Sequence, residues 1–136
     1  MIVIDASATV ALLFDEDTKF PNIDSLSELA EDLLAAPSHW AAEVGNALVS
    51  NVRRRRIRHD EISWFMQRVE RFGVEMLPPP SISEISLIAD QALELGLTFY
   101  DAAYIHMALT REASLLTLDE KMRLAAEHLN IPLLPS

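Results

Sequence analysis

Apolar residues follow two rhythms along this chain, and each predicts a different kind of element. Short unbroken runs read as strands: residues 2–4 are β-branched throughout, and residues 74–77, 114–117 and 131–134 are brief apolar stretches bounded by turn formers. The other segments repeat their apolar residues at helical spacing. Residues 6–14 form the first. A second helix is expected from Asp24 or Ser25 through Ala35, with Leu26, Leu29, Ala30, Leu33 and Leu34 on one face, stopped by Pro37-Ser38. A third covers residues 39–55 and buries Trp40, Val44, Ala47, Leu48 and Val52. Asp60 is expected to cap a fourth, through Phe72, carrying Ile62, Phe65, Met66 and Val69. Ser81 or Ser83 opens a fifth, closed by Gly96, and residues 100–111 and 119–129 complete the set.

Strands separated by helices favour parallel pairing, because a crossover long enough to contain a helix returns the chain in the same direction. The pattern therefore predicts an α/β fold: a central parallel sheet of four or five strands with helices on both faces. No repeat or low-complexity tract interrupts it. The 136 residues match one ordinary domain, so a single domain over residues 1–136 is expected. Pro78–Pro80 is read as a loop within it, since the acidic residues of interest lie on both sides.

Composition narrows the class. Half of the residues are apolar and about a quarter are charged, a globular balance. Cysteine is absent, which excludes disulfides, thiolate metal sites and cysteine nucleophiles. Residues 1–5 lack a basic leader, and Asp5 ends the apolar run too early for a signal peptide or membrane span, so a cytoplasmic chain is expected. The formal net charge is −10, which opposes broad binding to nucleic-acid phosphates. Seven of the eleven basic residues nevertheless fall between Arg53 and Arg71, four of them consecutive, so a local basic surface exists.

Four acids stand apart from this background. Asp5 follows the first strand, and Asp119 lies just past the strand at 114–117; ligands in open parallel sheets bind outside those carboxyl ends. Asp101 opens a helix with the sequence Asp-Ala-Ala-Tyr-Ile-His-Met-Ala, and Glu43 sits among Trp40, Ala41, Ala42, Val44 and Ala47. A bland reading exists for each alone: Asp5, Asp101 and Asp119 as helix N-caps, Glu43 as an ordinary helix residue. Four acids placed at strand ends and in apolar helices are harder to explain that way. Asn46 lies one turn from Glu43 on the same side.

The ordered set Val3-Ile4-Asp5-Ala6-Ser7, residues 37–48 with Glu43 and Asn46, Leu97-Thr98-Phe99-Tyr100-Asp101-Ala102-Ala103-Tyr104, and Leu115-Leu116-Thr117-Leu118-Asp119 resembles the PIN-domain nucleases, and among them the VapC-type toxins. The resemblance covers nearly the whole chain. It implies a PIN-like α/β/α sandwich, with Asp5, Glu43, Asp101 and Asp119 as metal-binding catalytic acids and Ser7 and Thr117 as hydroxyl supports; Asn46 and Tyr104 carry over less directly. It also implies RNA as substrate, a small cognate antitoxin as partner and a homodimer.

Crowded carboxylates need either protons or a cation, since two unit charges 4 Å apart repel by about 4 kcal/mol at an effective dielectric near 20. All-oxygen ligands favour Mg²⁺ or Mn²⁺ over Zn²⁺. Such an ion would activate water for attack on a phosphodiester, with Asp5 and Asp101 as principal ligands and Asp119 and Glu43 completing the site. Arg54 and Arg55 are candidates for steering RNA phosphates, set against a solvated helix end whose dipole favours cations. His39, His59, His106 and His128 show no ligand spacing and are read as surface or packing residues. Two rivals remain. A phosphatase of the haloacid-dehalogenase type would need a second Asp where Ser7 stands. A catalytically silent PIN-like module would hold RNA or protein without cutting.

An apolar groove for the antitoxin is expected around Leu12, Phe14, Leu33 and Trp40.

Overall fold

The computed structural model describes residues 1–14 and 32–135 of the chain. Five strands make one parallel sheet in the order β3-β2-β1-β4-β5. They are β1 (Ile2–Ile4), β2 (Leu34–Ala36), β3 (Glu75–Met76), β4 (Ser114–Leu116) and β5 (Leu133–Leu134). The helices are α1 (Ala6–Leu13), α2 (Trp40–Arg53), α3 (Ile62–Arg71), α4 (Ile82–Leu95), α5 (Phe99–Thr110) and α6 (Glu120–His128), with a single 3₁₀ turn, His59–Glu61, before α3.

β1 is central because its side chains are apolar on both faces. Ile2 and Ile4 pack with Ala8, Ala11 and Leu12 of α1, whereas Val3 joins Trp40, Val44, Tyr104, Ile105 and Leu115 in the larger core. This alternation follows from the period of two along a strand. The α/β sheet with helices packed against it is the architecture expected, and the five strands match the upper count.

One element differs. Residues 34–36, of which Leu34 and Ala35 are read above as the end of a helix, form β2, paired with β1 on one side and β3 on the other. Leu-Ala-Ala favours a helix by local propensity, but Ala35 and Ala36 are fully buried, and small side chains suit a strand covered on both faces. The preceding part of that helix, with its cap at Asp24 or Ser25, lies outside the described residues. Two members of the expected groove are also corrected: Leu12 and Trp40 are core residues, and the Trp40 indole N–H donates to Thr9 Oγ1 at 3.0 Å.

The helix boundaries are chemically marked. Asp5, Ser81, Thr98 and Asp119 each accept a backbone N–H from the first turn of α1, α4, α5 and α6. Ser81 and Glu84 form a capping box. Gly96 ends α4 at φ +66°, a left-handed conformation that a side chain would strain. The 3₁₀ turn places Asp60 before α3, where Glu61 is the capping residue. Among the described residues, no helix is long and apolar enough to cross a membrane.

Candidate active site

The strand order reverses beside β1: the chain goes outward through β2 and β3, then crosses to β4 and β5. The carboxyl ends of β1 and β4 therefore flank the switch point of the sheet, where open α/β sheets place their ligands. Asp5 leaves β1 there, its N–H bonded to the Leu116 carbonyl at 3.2 Å, and Thr117 leaves β4 beside it.

Asp5 is only 4% exposed. Its Oδ1 accepts the Ala8 N–H at 2.9 Å, the Ser7 hydroxyl lies 2.8 and 2.9 Å from its two oxygens, and the Thr117 hydroxyl donates to Oδ2. Ser7 has one hydroxyl hydrogen, which it gives to one carboxylate oxygen or shares between the two. Burial pushes the Asp5 carboxyl up to about 6, against the pull of the hydrogen bonds from Thr117, Ala8 and Ser7, and the charge of Asp119 adds to the rise. Thr117 is itself fixed. Its hydroxyl accepts the Asp119 N–H at 3.0 Å, and the Arg123 guanidinium holds its carbonyl at 2.8 Å and that of Leu134 at 3.2 Å.

Asp119 caps α6, accepting the Met122 N–H at 3.0 Å. The capping role offered as the bland reading is therefore real for Asp5 and Asp119, and it does not remove either from the sheet edge. Asp101 is different: Thr98 caps α5, and Asp101 stands in the first turn as an acid near the positive end of the helix. Its carboxyl is raised above the ordinary value, first by burial and then by the charge of Asp119, with a further rise from Glu43 and opposing effects from Thr98 and His39.

Glu43 reaches the same region from the first turn of α2. The buried Tyr104 phenol donates to its Oε1 at 2.7 Å, and His39 Nε2 lies 3.5 Å from that oxygen. His39 Nε2–H donates to the Tyr100 carbonyl at 3.0 Å, and its ring meets Tyr104 edge-on with centroids 4.9 Å apart. Burial, followed by the hydrogen bond and charge of Glu43, raises the Tyr104 phenol and keeps it a neutral donor; Asp5 and Asp101 add smaller effects.

Asp5 and Asp101 thus both sense Asp119, Asp101 senses Glu43, and Tyr104 senses Asp5, Glu43 and Asp101. The fold gathers the four acids into one electrostatic neighbourhood. Among the described residues, no three carboxylate or histidine side chains stand close enough together to enclose a metal ion by themselves. The carboxylate donors at this edge are all oxygen, the ligand type that Mg²⁺ accepts, and Mg²⁺ takes only one or two carboxylates directly and keeps several waters. Asp5 and Asp101, both raised by burial and by the charge of Asp119, are oxygen donors of that kind.

Not every candidate joins this edge. Asn46 is exposed on α2 and makes no hydrogen bond to Glu43. Arg54 and Arg55 follow the far end of the same helix, roughly 17 Å along its axis from Glu43 at 1.5 Å per residue. His39, read above as a surface or packing residue, packs against Tyr100 and Tyr104 and stands 3.5 Å from Glu43. Tyr104, which the resemblance carries over less directly, meets Glu43 through its phenol.

Residues 2–128 match the family described as PIN domain. The chain is 34% identical over 122 residues to Ribonuclease VapC3 of Pyrobaculum aerophilum, a similarity spanning 89% of this chain and 91% of that protein. Its fold is similar to the crystal structure of PAE2754 from Pyrobaculum aerophilum, with a TM-score of 0.68 at 27% identity, covering 91% of this chain and 83% of that one.

Proposed function

The chain belongs to the PIN domain family, and from that premise we propose that it is a Mg²⁺- or Mn²⁺-dependent ribonuclease, the toxin of a toxin–antitoxin pair. The observation that carries this reading is the single electrostatic neighbourhood formed by Asp5, Glu43, Asp101 and Asp119. The relative named as a ribonuclease supports the choice of RNA.

Asp5 and Asp101 would hold a divalent ion, with Asp119 and Glu43 completing its surroundings, and that ion would supply positive charge against the phosphodiester and make water a better nucleophile. The chain's own residues do the rest. Ser7, Ala8 and Thr117 hold the Asp5 carboxylate in one orientation. Tyr104 fixes Glu43 through one oxygen and leaves the other to orient water. The summed negative charge keeps the edge repulsive to phosphate until a cation is present. Arg54 and Arg55, distant from the acids, act on phosphates further along the RNA.

The partners belong to the same proposal: a homodimer of this single-domain, cytoplasmic chain that binds a small antitoxin. Exposed apolar residues offer docking area. Trp64 is 51% exposed under the Arg68 guanidinium, beside the Phe14–Phe65 ring pair, and Ile82 and Leu93 on α4 are almost fully exposed. Incubating the purified chain with single-stranded RNA, with EDTA or with Mn²⁺, tests the reading. Cleavage dependent on the metal is expected; RNA bound but never cut would identify the silent module instead.

A further inference from the structure

A cavity of about 180 Å³ shares His39 with the surroundings of Glu43. His39, which touches the Tyr100 carbonyl and stands 3.5 Å from Glu43, also lines this cavity, as does Phe99 two residues before Asp101. The loop Pro78–Pro80 also lines it, and buried Ile88 and Met107 form apolar lining. Its polar lining is His39, Glu84, His106, Thr110 and Arg111. His106 Nε2 is 3.6 Å from Glu84 Oε2, whose other oxygen accepts the Ser81 N–H at 3.1 Å, so the capping box of α4 anchors the imidazole's partner. Among the described residues that line it, Arg111, at the end of α5, is the only Lys or Arg.

On the ribonuclease reading above, we propose that this cavity receives one nucleobase of the RNA substrate, next to the phosphate held at the acids. Size selects the occupant. The volume is below the range of pockets that hold drug-sized ligands, and a helix 10–12 Å across does not enter it, whereas one flat heterocycle does. Chemistry agrees. Single-stranded RNA is read by stacking unpaired bases on flat side chains and by hydrogen bonds to their edges. Phe99 and the proline rings supply the flat apolar walls, and His106 and Glu84 supply a donor and an acceptor. Arg111 offers a cation for the adjoining phosphate, away from the repulsive carboxylates. Through His39, the base and the catalytic edge are parts of one continuous surface.

The test uses a twelve-nucleotide RNA that the chain cleaves once, remade with an abasic site at each position in turn. With wild type, one abasic position beside the cut should lower kcat/KM at least fivefold, chiefly through KM. In His106→Ala, that penalty should shrink below twofold. Thr110→Trp, which blocks the cavity from an exposed rim position, should have the same effect and guards against misfolding of the first variant. Wild type that cleaves RNA with abasic penalties unchanged in both variants overturns the base pocket and leaves the ribonuclease reading intact. Cavity variants that abolish binding of a co-expressed antitoxin while leaving the abasic profile unchanged assign the cavity to a protein and also overturn it. A wild type that cuts no RNA removes the premise itself.

Discussion

Asp5→Asn makes the burial of this carboxylate measurable as stability. A folded-state pKa of about 6 against an ordinary 3.8 means that folded protein holds its proton more tightly than unfolded chain does. At about 1.4 kcal/mol for each tenfold in proton affinity, the difference is about 3 kcal/mol. The sign follows from proton counts. Between pH 3.8 and 6 the folded state carries the extra proton, so stability falls as pH rises; the contribution is complete below the lower value and lost above the upper one. Near-total burial means solvent does little to screen this effect. Asn cannot ionise, so its stability lacks that slope. The amide also has a cost: its NH₂ faces the Thr117 hydroxyl, which must turn toward Met122 Sδ, 4.0 Å away, losing about 1 kcal/mol of hydrogen bonding. At pH 7 in EDTA, Asp5→Asn is therefore expected to be about 2 kcal/mol more stable than wild type. Urea denaturation from pH 5 to 8, clear of the isoelectric point near 4.7, captures about half of the slope, about 1.5 kcal/mol. Stability curves that run parallel over this range, or a variant weaker than wild type at pH 7, would refute the assignment of Asp5 as a buried, destabilised carboxylate.

Other expectations concern single contacts. Tyr104→Phe keeps the buried ring but frees Glu43; a cost of about 1 kcal/mol in a thermal melt and a roughly tenfold lower cleavage rate are expected, and an unchanged rate would make the contact purely structural. Replacing Arg54 and Arg55 by Ala should flatten the salt dependence of RNA binding by about 0.7 log unit per lost single-strand phosphate contact, without altering metal affinity; an unchanged slope in a filter-binding titration returns them to a solvated helix end. Mn²⁺ at a hundredfold excess over its dissociation constant should stabilise wild type by about 2.7 kcal/mol, and a melt indifferent to Mn²⁺ and Mg²⁺ would leave the acids without a cation.

The parts legible in the sequence were those with local signatures. Asp5 and Asp119 follow apolar runs that can only be strands, and their positions at the carboxyl ends of β1 and β4 place them at the switch point of a parallel sheet. Ser81, Glu84 and Gly96 announce α4 at both ends. β2 was concealed because three buried residues with good helix propensity, directly before a proline, look like the last turn of a helix. His39 was concealed for another reason. Its site contacts are to residues about sixty positions away, Tyr100 and Tyr104, and only the packing of α2 beside α5 brings them together. The helical spacing that locates Glu43 says nothing about which partner its carboxylate meets across the fold. Likewise, Arg54 and Arg55 are near Glu43 in sequence, but α2 carries them to its opposite end.

Cleavage of a labelled single-stranded RNA by wild type and Asp101→Asn, followed over time at several Mn²⁺ concentrations, tests the carboxylate mechanism most directly. Asn preserves the shape at the first turn of α5 and removes one charge from a neighbourhood in which Asp119 and Glu43 already repel it. Metal-dependent cleavage should collapse at every Mn²⁺ concentration, while the metal-free variant melts at or above the wild-type temperature. An Asp101→Asn protein that cuts RNA at the wild-type rate would contradict the account.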